Sequence, residues 1–262
     1  MAEDPKQKTT KEFKFPTEII DLPSRGKIYP EDSPLRSGQV ELKYMTTREE
    51  DILTSQNLIK KGVVIDRLLE SLIVTKGVRC ENLILGDKNA VMVAARILAY
   101  GPEYVCEVIN PSTGEKSQES FNLADCPFRE LPKEIDYSKN EFEMKLSASK
   151  AKITFKILTG ADEKLIENEL KSLQKIKQTI VPELTTRLKH VVTSVNGESK
   201  IIVIKDFVEN MLSRDSMELR AELSRISPDI ILSQNVEIEG EQVEVAIPLT
   251  ANFFWPNPEK QI

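Results

Sequence analysis

The sequence predicts an α+β protein: an N-terminal helical cluster with a proline-rich strap, followed by β-hairpins mixed with helices. Three observations predict it. Apolar residues recur at helical spacing up to about residue 102, and strand-like alternation begins there. Several alternating stretches are separated by short polar turns containing Gly, as hairpins require. Ahead of the helices, "DLPSRGKIYPEDSPL" (residues 21–35) holds Pro23, Pro30, Pro34 and Gly26, yet keeps Leu22, Ile28, Tyr29 and Leu35. Proline excludes a regular helix or central strand there, and the apolar residues argue against a free tail. The chain divides accordingly into an N-terminal arm (1–17), a strap and helical region (18–102) and a mixed α+β region with hairpins (103–262).

Residues 1 to about 17 are polar and lysine-rich, with too little apolar surface to offset ordering entropy. The strap follows, then "VELKYM" as a short alternating strand. Thr47, with Glu50 three residues on, has the spacing of a capping box. It opens a helix that runs to Gly62. A second helix starts near Asp66, with Leu68, Leu69, Leu72 and Ile73 as its face. Asp87 is the expected cap of a third, "KNAVMVAARILAY", closed by Gly101. That helix is apolar on most sides and belongs at the centre of the helical layer.

Beyond residue 102, "EYVCEVI" and "KSQESFNL" flank the turn-rich "NPSTGE", and "EFEMKLS" and "KITFKIL" are two further strands. A polar helix follows, started by Thr159 or Asp162, with Leu165, Ile166, Leu170, Leu173 and Ile176 on one side. It reads as a surface helix on the sheet or as a short partner helix. "TTRLKHVVTSV" and "SKIIVI" around "NGE" carry the strongest hairpin signal in the chain. A pair of short helices with Asp206 and Asp215 or Ser216 as caps, a last hairpin around Glu239-Gly240 and "FFWP" complete the sequence. A helix followed by a hairpin with Gly at its tip occurs near 87–122 and again near 216–248, an echo that the sequence does not raise to a repeat.

Function classes narrow by exclusion. A net charge of −6, from 36 basic and 42 acidic residues, lacks the basic surface a general nucleic-acid binder needs. The apolar runs are too short to span a bilayer and the first residues lack a signal-peptide core, so the expectation is a cytoplasmic product with no membrane insertion. Cys80, Cys106 and Cys126 are an odd set without a Cys-x-x-Cys clip, best read as small buried hydrophobes, with a Cys106–Cys126 pair as the alternative. The sole histidine, His190, falls on an expected strand with no ligand partners at metal spacing. No nucleophile elbow or phosphate-cradling loop is present. The expectation is therefore no catalytic residues, no cofactor and no metal. What remains are interaction candidates: Leu22, Pro23, Ser24, Gly26, Tyr29 and Pro30 in the strap, and Phe253, Phe254 and Trp255 near the end. The strap either wraps its own domain or serves as a docking arm whose prolines reduce the ordering cost of binding. The aromatics either plug the core edge or anchor a partner.

Several of these segments together resemble a known family. "DLPSRGKIYPEDSPL", "VELKYMTTREEDILTSQNLIKKGVVIDRLLESLI", "GDKNAVMVAARILAYGPEY" and the closing "RDSMELRAELSRISPDI" with "IPLTANFFWP" resemble the baseplate hub proteins of T-even-type contractile-tailed phages. The resemblance covers about residues 22–256. It implies a non-enzymatic hub component or assembly factor whose partners are other phage baseplate or tail proteins. It would work in the host cytoplasm during assembly and in the tail baseplate if retained there. The competing readings are a tail assembly chaperone absent from the mature virion, and an unrelated cytoplasmic enzyme or regulatory module. Ser24 matches the family's most characteristic serine. With no base in sight, a turn-stabilising hydroxyl is expected there. Some relatives carry Cys-x-x-Cys pairs in two hairpin turns. The matching turns here, "INPSTGEK" and "VEIEGEQ", have none, so folding without zinc is expected.

Overall fold

A computed structural model describes residues 16–110, 113–175, 181–238, 241–249 and 251–254. The predicted arm lies almost wholly outside these residues, as do Pro111, Ile176, the Glu239-Gly240 tip and Trp255. The class is α+β, with small antiparallel sheets among helices.

Strand β1 (Thr17–Asp21) pairs antiparallel with β2 (Gln39–Lys43), Thr17 opposite Lys43 and Asp21 opposite Gln39. The sequence announced β2 but not its partner, and the strap proves to be the long connection between the two. Helix α1 (Thr47–Thr54) begins one residue earlier than expected. Two Thr-x-x-Glu spacings overlap here, and the structure uses Thr46 with Glu49: the Thr46 amide and hydroxyl both donate to Glu49 Oε2, at 3.0 and 2.6 Å. Glu49 prevails over Glu50 because Lys43 Nζ and Ser71 Oγ reach its other oxygen. The single helix expected up to Gly62 breaks at Ser55 into α1 and α2 (Gln56–Lys60). Helix α3 (Val64–Leu72) buries Leu68, Leu69 and Leu72, as its spacing required.

Helix α4 (Leu85–Tyr100) is central, burying Ala90, Val91, Val93, Ala95 and Arg96. Asp87 is not its N-cap: it is the third helical residue, behind an Ile84 cap. Hairpin β3 (Glu103–Ile109) and β4 (Lys116–Asn122) forms as expected, and β5 (Phe142–Lys145) pairs with β6 (Lys152–Phe155). Helix α5 (Gly160–Lys175) starts with both predicted residues, since the Thr159 amide and hydroxyl donate to Asp162 Oδ2. It buries Ile166, while Leu165 turns outward.

The next segment departs most from expectation. "TTRLKHV" is helical, in α6 (Glu183–Val191), and only β7 (Val192–Val195) is a strand. "IIVI" opens helix α7 (Ile201–Glu209) rather than a strand. The Asn-Gly turn is real: Asn196 and Gly197 both have positive φ, 50° and 87°. After it, however, pairing stops at one bridge, Val195 with Glu198. β-branched residues favoured a strand locally, but the core takes Ile204 and Val208, spaced by four, and tertiary burial overrides propensity. Asp206 consequently lies inside α7. Helix α8 (Ser213–Ile226) has Asp215 as its third residue and Ser216 fourth, so neither is its N-cap. Hairpin β8 (Ser233–Ile238) and β9 (Glu241–Ala246) closes the fold.

Candidate functional site: the strap and its anchor

The strap follows the β1–β2 hairpin into a wide turn closed by the Leu22 amide donating to the Gly38 carbonyl at 2.8 Å. Its large apolar side chains turn inward: Leu22, Ile28, Tyr29 and Leu35 are buried, as are Pro23, Ser24 and Gly26. Of the strap candidates only Pro30 is exposed. Gly26 has φ 73°, and a Cβ there would stand 2.3 Å from the Arg36 carbonyl oxygen, so both space and backbone demand glycine. Arg36 gathers the ribbon from within, its Nη1 donating to the Lys27 and Tyr29 carbonyls.

The anchor is Asp87. Ser24 gives it two hydrogen bonds, amide to Oδ1 at 2.9 Å and hydroxyl to Oδ2 at 2.6 Å. Tyr29 donates its hydroxyl to Oδ2 at 2.6 Å and accepts from the Ile84 amide at 3.0 Å. Ser24 Oγ in turn accepts from the Gly26 amide at 3.1 Å, the local turn contact expected from sequence. Burial pushes the Asp87 carboxyl above its ordinary range, against the donors from Ser24 and Tyr29. Burial also drives the Tyr29 phenol upward, with the Asp87 charge adding to it. Sequence marked Asp87 only as a helix-start acid. Nothing local signals that its partners lie some sixty residues away in the strap.

This cluster holds a serine, a carboxylate and a tyrosine, but it is not arranged for nucleophilic attack. Ser24 is 0% exposed, and its hydroxyl is one of three donors, with its own amide and the Tyr29 hydroxyl, that hold the Asp87 carboxylate. The cysteines are free thiols: burial pushes Cys80 up to about 12 and Cys106 up to about 11, the opposite of an activated nucleophile. His190 sits in the last turn of α6, not on a strand, with its Nε2 3.3 Å from Glu169 Oε2. Among the described residues no group of three or more His, Cys, Asp or Glu could hold a metal. An open depression beside β5 and β6 is lined by Glu143, Met144, Lys145, Lys150 and Lys152, with Lys152 paired to Glu143.

Phe253 and Phe254 face inward, at 1% and 2% exposure. Phe253 meets the Tyr104 ring edge-on at 5.1 Å, and its carbonyl accepts from the buried Arg96 Nε at 2.9 Å. The pair plugs the core, so neither ring offers a partner surface. No family model, no curated protein and no solved structure matches this chain. No helix among the described residues is long and apolar enough to cross a membrane.

Proposed function

We propose that this protein is a non-enzymatic component or assembly factor of a phage tail baseplate hub, acting through protein–protein contacts. One observation carries the reading: Ser24, the residue of the strap opening that an enzyme would use as a nucleophile, is sealed at 0% exposure under its own chain as a hydrogen-bond donor to Asp87. The opening through which the sequence resembles hub proteins is thus architectural. It stiffens a ribbon whose outward residues, Arg25, Lys27, Pro30, Glu31 and Asp32, form the surface offered to partners. A ribbon already ordered in the free chain loses little entropy on docking, which suits an assembly contact.

The test reverses charge on that surface in the full chain, Arg25→Glu with Lys27→Glu, and follows tail assembly in infected cells. The expected variant is folded but fails to support baseplates. Normal tails from the variant overturn the role of this surface, and normal tails from phage lacking the protein altogether overturn the hub reading. Mass spectrometry of purified virions separates a retained component from a transient assembly factor.

A further inference from the structure

The first and second halves of the chain repeat one set of contacts. In the first, Lys43 Nζ pairs with Glu49 while Thr46 binds the same carboxylate through amide and hydroxyl. In the second, Lys156 Nζ pairs with Asp162 while Thr159 does the same. The residue before each lysine bridges the end of the same helical excursion: Leu42 with Ile73, and Phe155 with Val192. Each opening hairpin turn closes alike, Leu22 amide to Gly38 carbonyl at 2.8 Å and Leu146 amide to Ala151 carbonyl at 2.9 Å. Two residues past each leucine the backbone amide donates to an aspartate at the third position of a later helix. Those pairs are Ser24 to Asp87 and Ala148 to Asp215, both at 2.9 Å. Arg25, one residue past Ser24, and Lys150, two past Ala148, both take the positive φ that side chains avoid. "ENL" precedes α4 and "ENM" precedes α8, and each of these helices leads through Pro102 or Pro228 to a hairpin. Where the two hairpins meet, β3 lies against β9 and β4 against β8, the pattern a twofold axis between them would give.

We infer that the chain is a tandem of two copies of one unit, residues 17–128 and 142–254. The terminal hairpins are the surface by which one copy takes the other as its partner, and the strap is an insertion in the opening turn of the first copy. The second copy shows the turn in plain form: residues 146–151 do what residues 22–38 do, with Ala148 and Ser149 amides on Asp215 in place of the Ser24 amide and hydroxyl on Asp87. What the insertion adds is the buried side chains of Ile28, Tyr29 and Leu35, with Tyr29 bound at the start of α4, together with an outer surface that the second copy lacks. The first copy is therefore the differentiated end of an otherwise paired body. This inference stands independently of the hub reading.

The test grafts the plain turn into the full chain, replacing residues 23–38 by the sequence of residues 147–151, and measures amide exchange. Tm falls with the loss of the strap's buried side chains. The two grafted amides that match Ala148 and Ser149 are nevertheless protected by about tenfold or more over unstructured rates, and Asp87→Asn in the same background removes that protection. A folded graft whose amides exchange freely overturns the inference. Should the graft not fold, Asp87→Asn and Asp215→Asn in the full chain decide. Matched turns lose protection at the Ser24 amide in the first variant and at the Ala148 and Ser149 amides in the second. Protection kept in either variant overturns the correspondence.

Discussion

Asp87 and Asp215 occupy the same place in two helices and hold the same kind of turn, yet they titrate in opposite directions. Both side chains are shielded from water. Over Asp87 lies the strap, and burial wins, raising its pKa. Asp215 lies just beneath the surface. Burial works against its charge there too, but donors from Ser149 and Ala148, with Arg214 nearby, outweigh it and the pKa falls. The anchor chemistry is the same in both; the depth of the roof decides the sign. Glu49 and Asp162 make the complementary point: each has burial opposed by a lysine and a threonine, and both are lowered, Glu49 to about 2.

The largest expected effect is at the matched leucines. Leu22 and Leu146 are both essentially unexposed, so Leu22→Ala and Leu146→Ala each cost about 2–5 kcal/mol in urea unfolding. A cost near zero at Leu22 alone breaks the comparison and makes the strap a ribbon that orders only on its partner. Next come the aspartates. Asp87→Asn leaves a donor group facing Ser24 and Tyr29 and costs about 1–3 kcal/mol at neutral pH.

Acidity sharpens the difference between them. Asp87 has a folded pKa above its unfolded value, so its ionisation opposes folding increasingly as pH rises through the folded pKa. Asp215, with a depressed pKa, stabilises above the unfolded value and loses that contribution as pH falls through the folded one. In unfolding measured from neutral pH down through the carboxylate range, the cost of Asp87→Asn grows and that of Asp215→Asn shrinks. Parallel pH dependence of the two variants refutes the assignment. The smallest effect is at Ser24→Ala, about 1 kcal/mol for a hydroxyl bond whose backbone companion survives. A loss several times larger makes the hydroxyl, rather than the Ser24 amide, the principal tie.

Much of this was legible along the chain because its causes are local. Thr159 and Asp162 sit within one turn of each other, and an alternating run such as residues 103–109 needs only its own pattern to be a strand. Prolines beside apolar residues left two readings of the strap, a wrap over its own domain or a docking arm, and the burial of Leu22, Ile28, Tyr29 and Leu35 decides for the wrap. The errors arose where local preference and tertiary demand disagreed. "TRLKHVV" and "KIIVI" carry β-branched residues around an Asn-Gly turn, yet the sheet offers β7 no second strand and the core selects Leu188, Ile204 and Val208 from helices. Thr46 and Thr47 compete for one capping role, and Lys43 and Ser71, contributed by a strand and by another helix, settle it.

The sequence by itself determined the α+β class, the helix start at Thr159 and Asp162 and the hairpin of residues 103–122. Each is a matter of neighbouring residues, whose interactions are set by covalent spacing. The tertiary structure alone decided that Asp87 receives the strap, that Asp215 receives a matching turn, and that the two halves share one plan. Those bonds join residues more than sixty positions apart, and no local pattern encodes which distant amide will reach a helix-start carboxylate once the chain has collapsed around it.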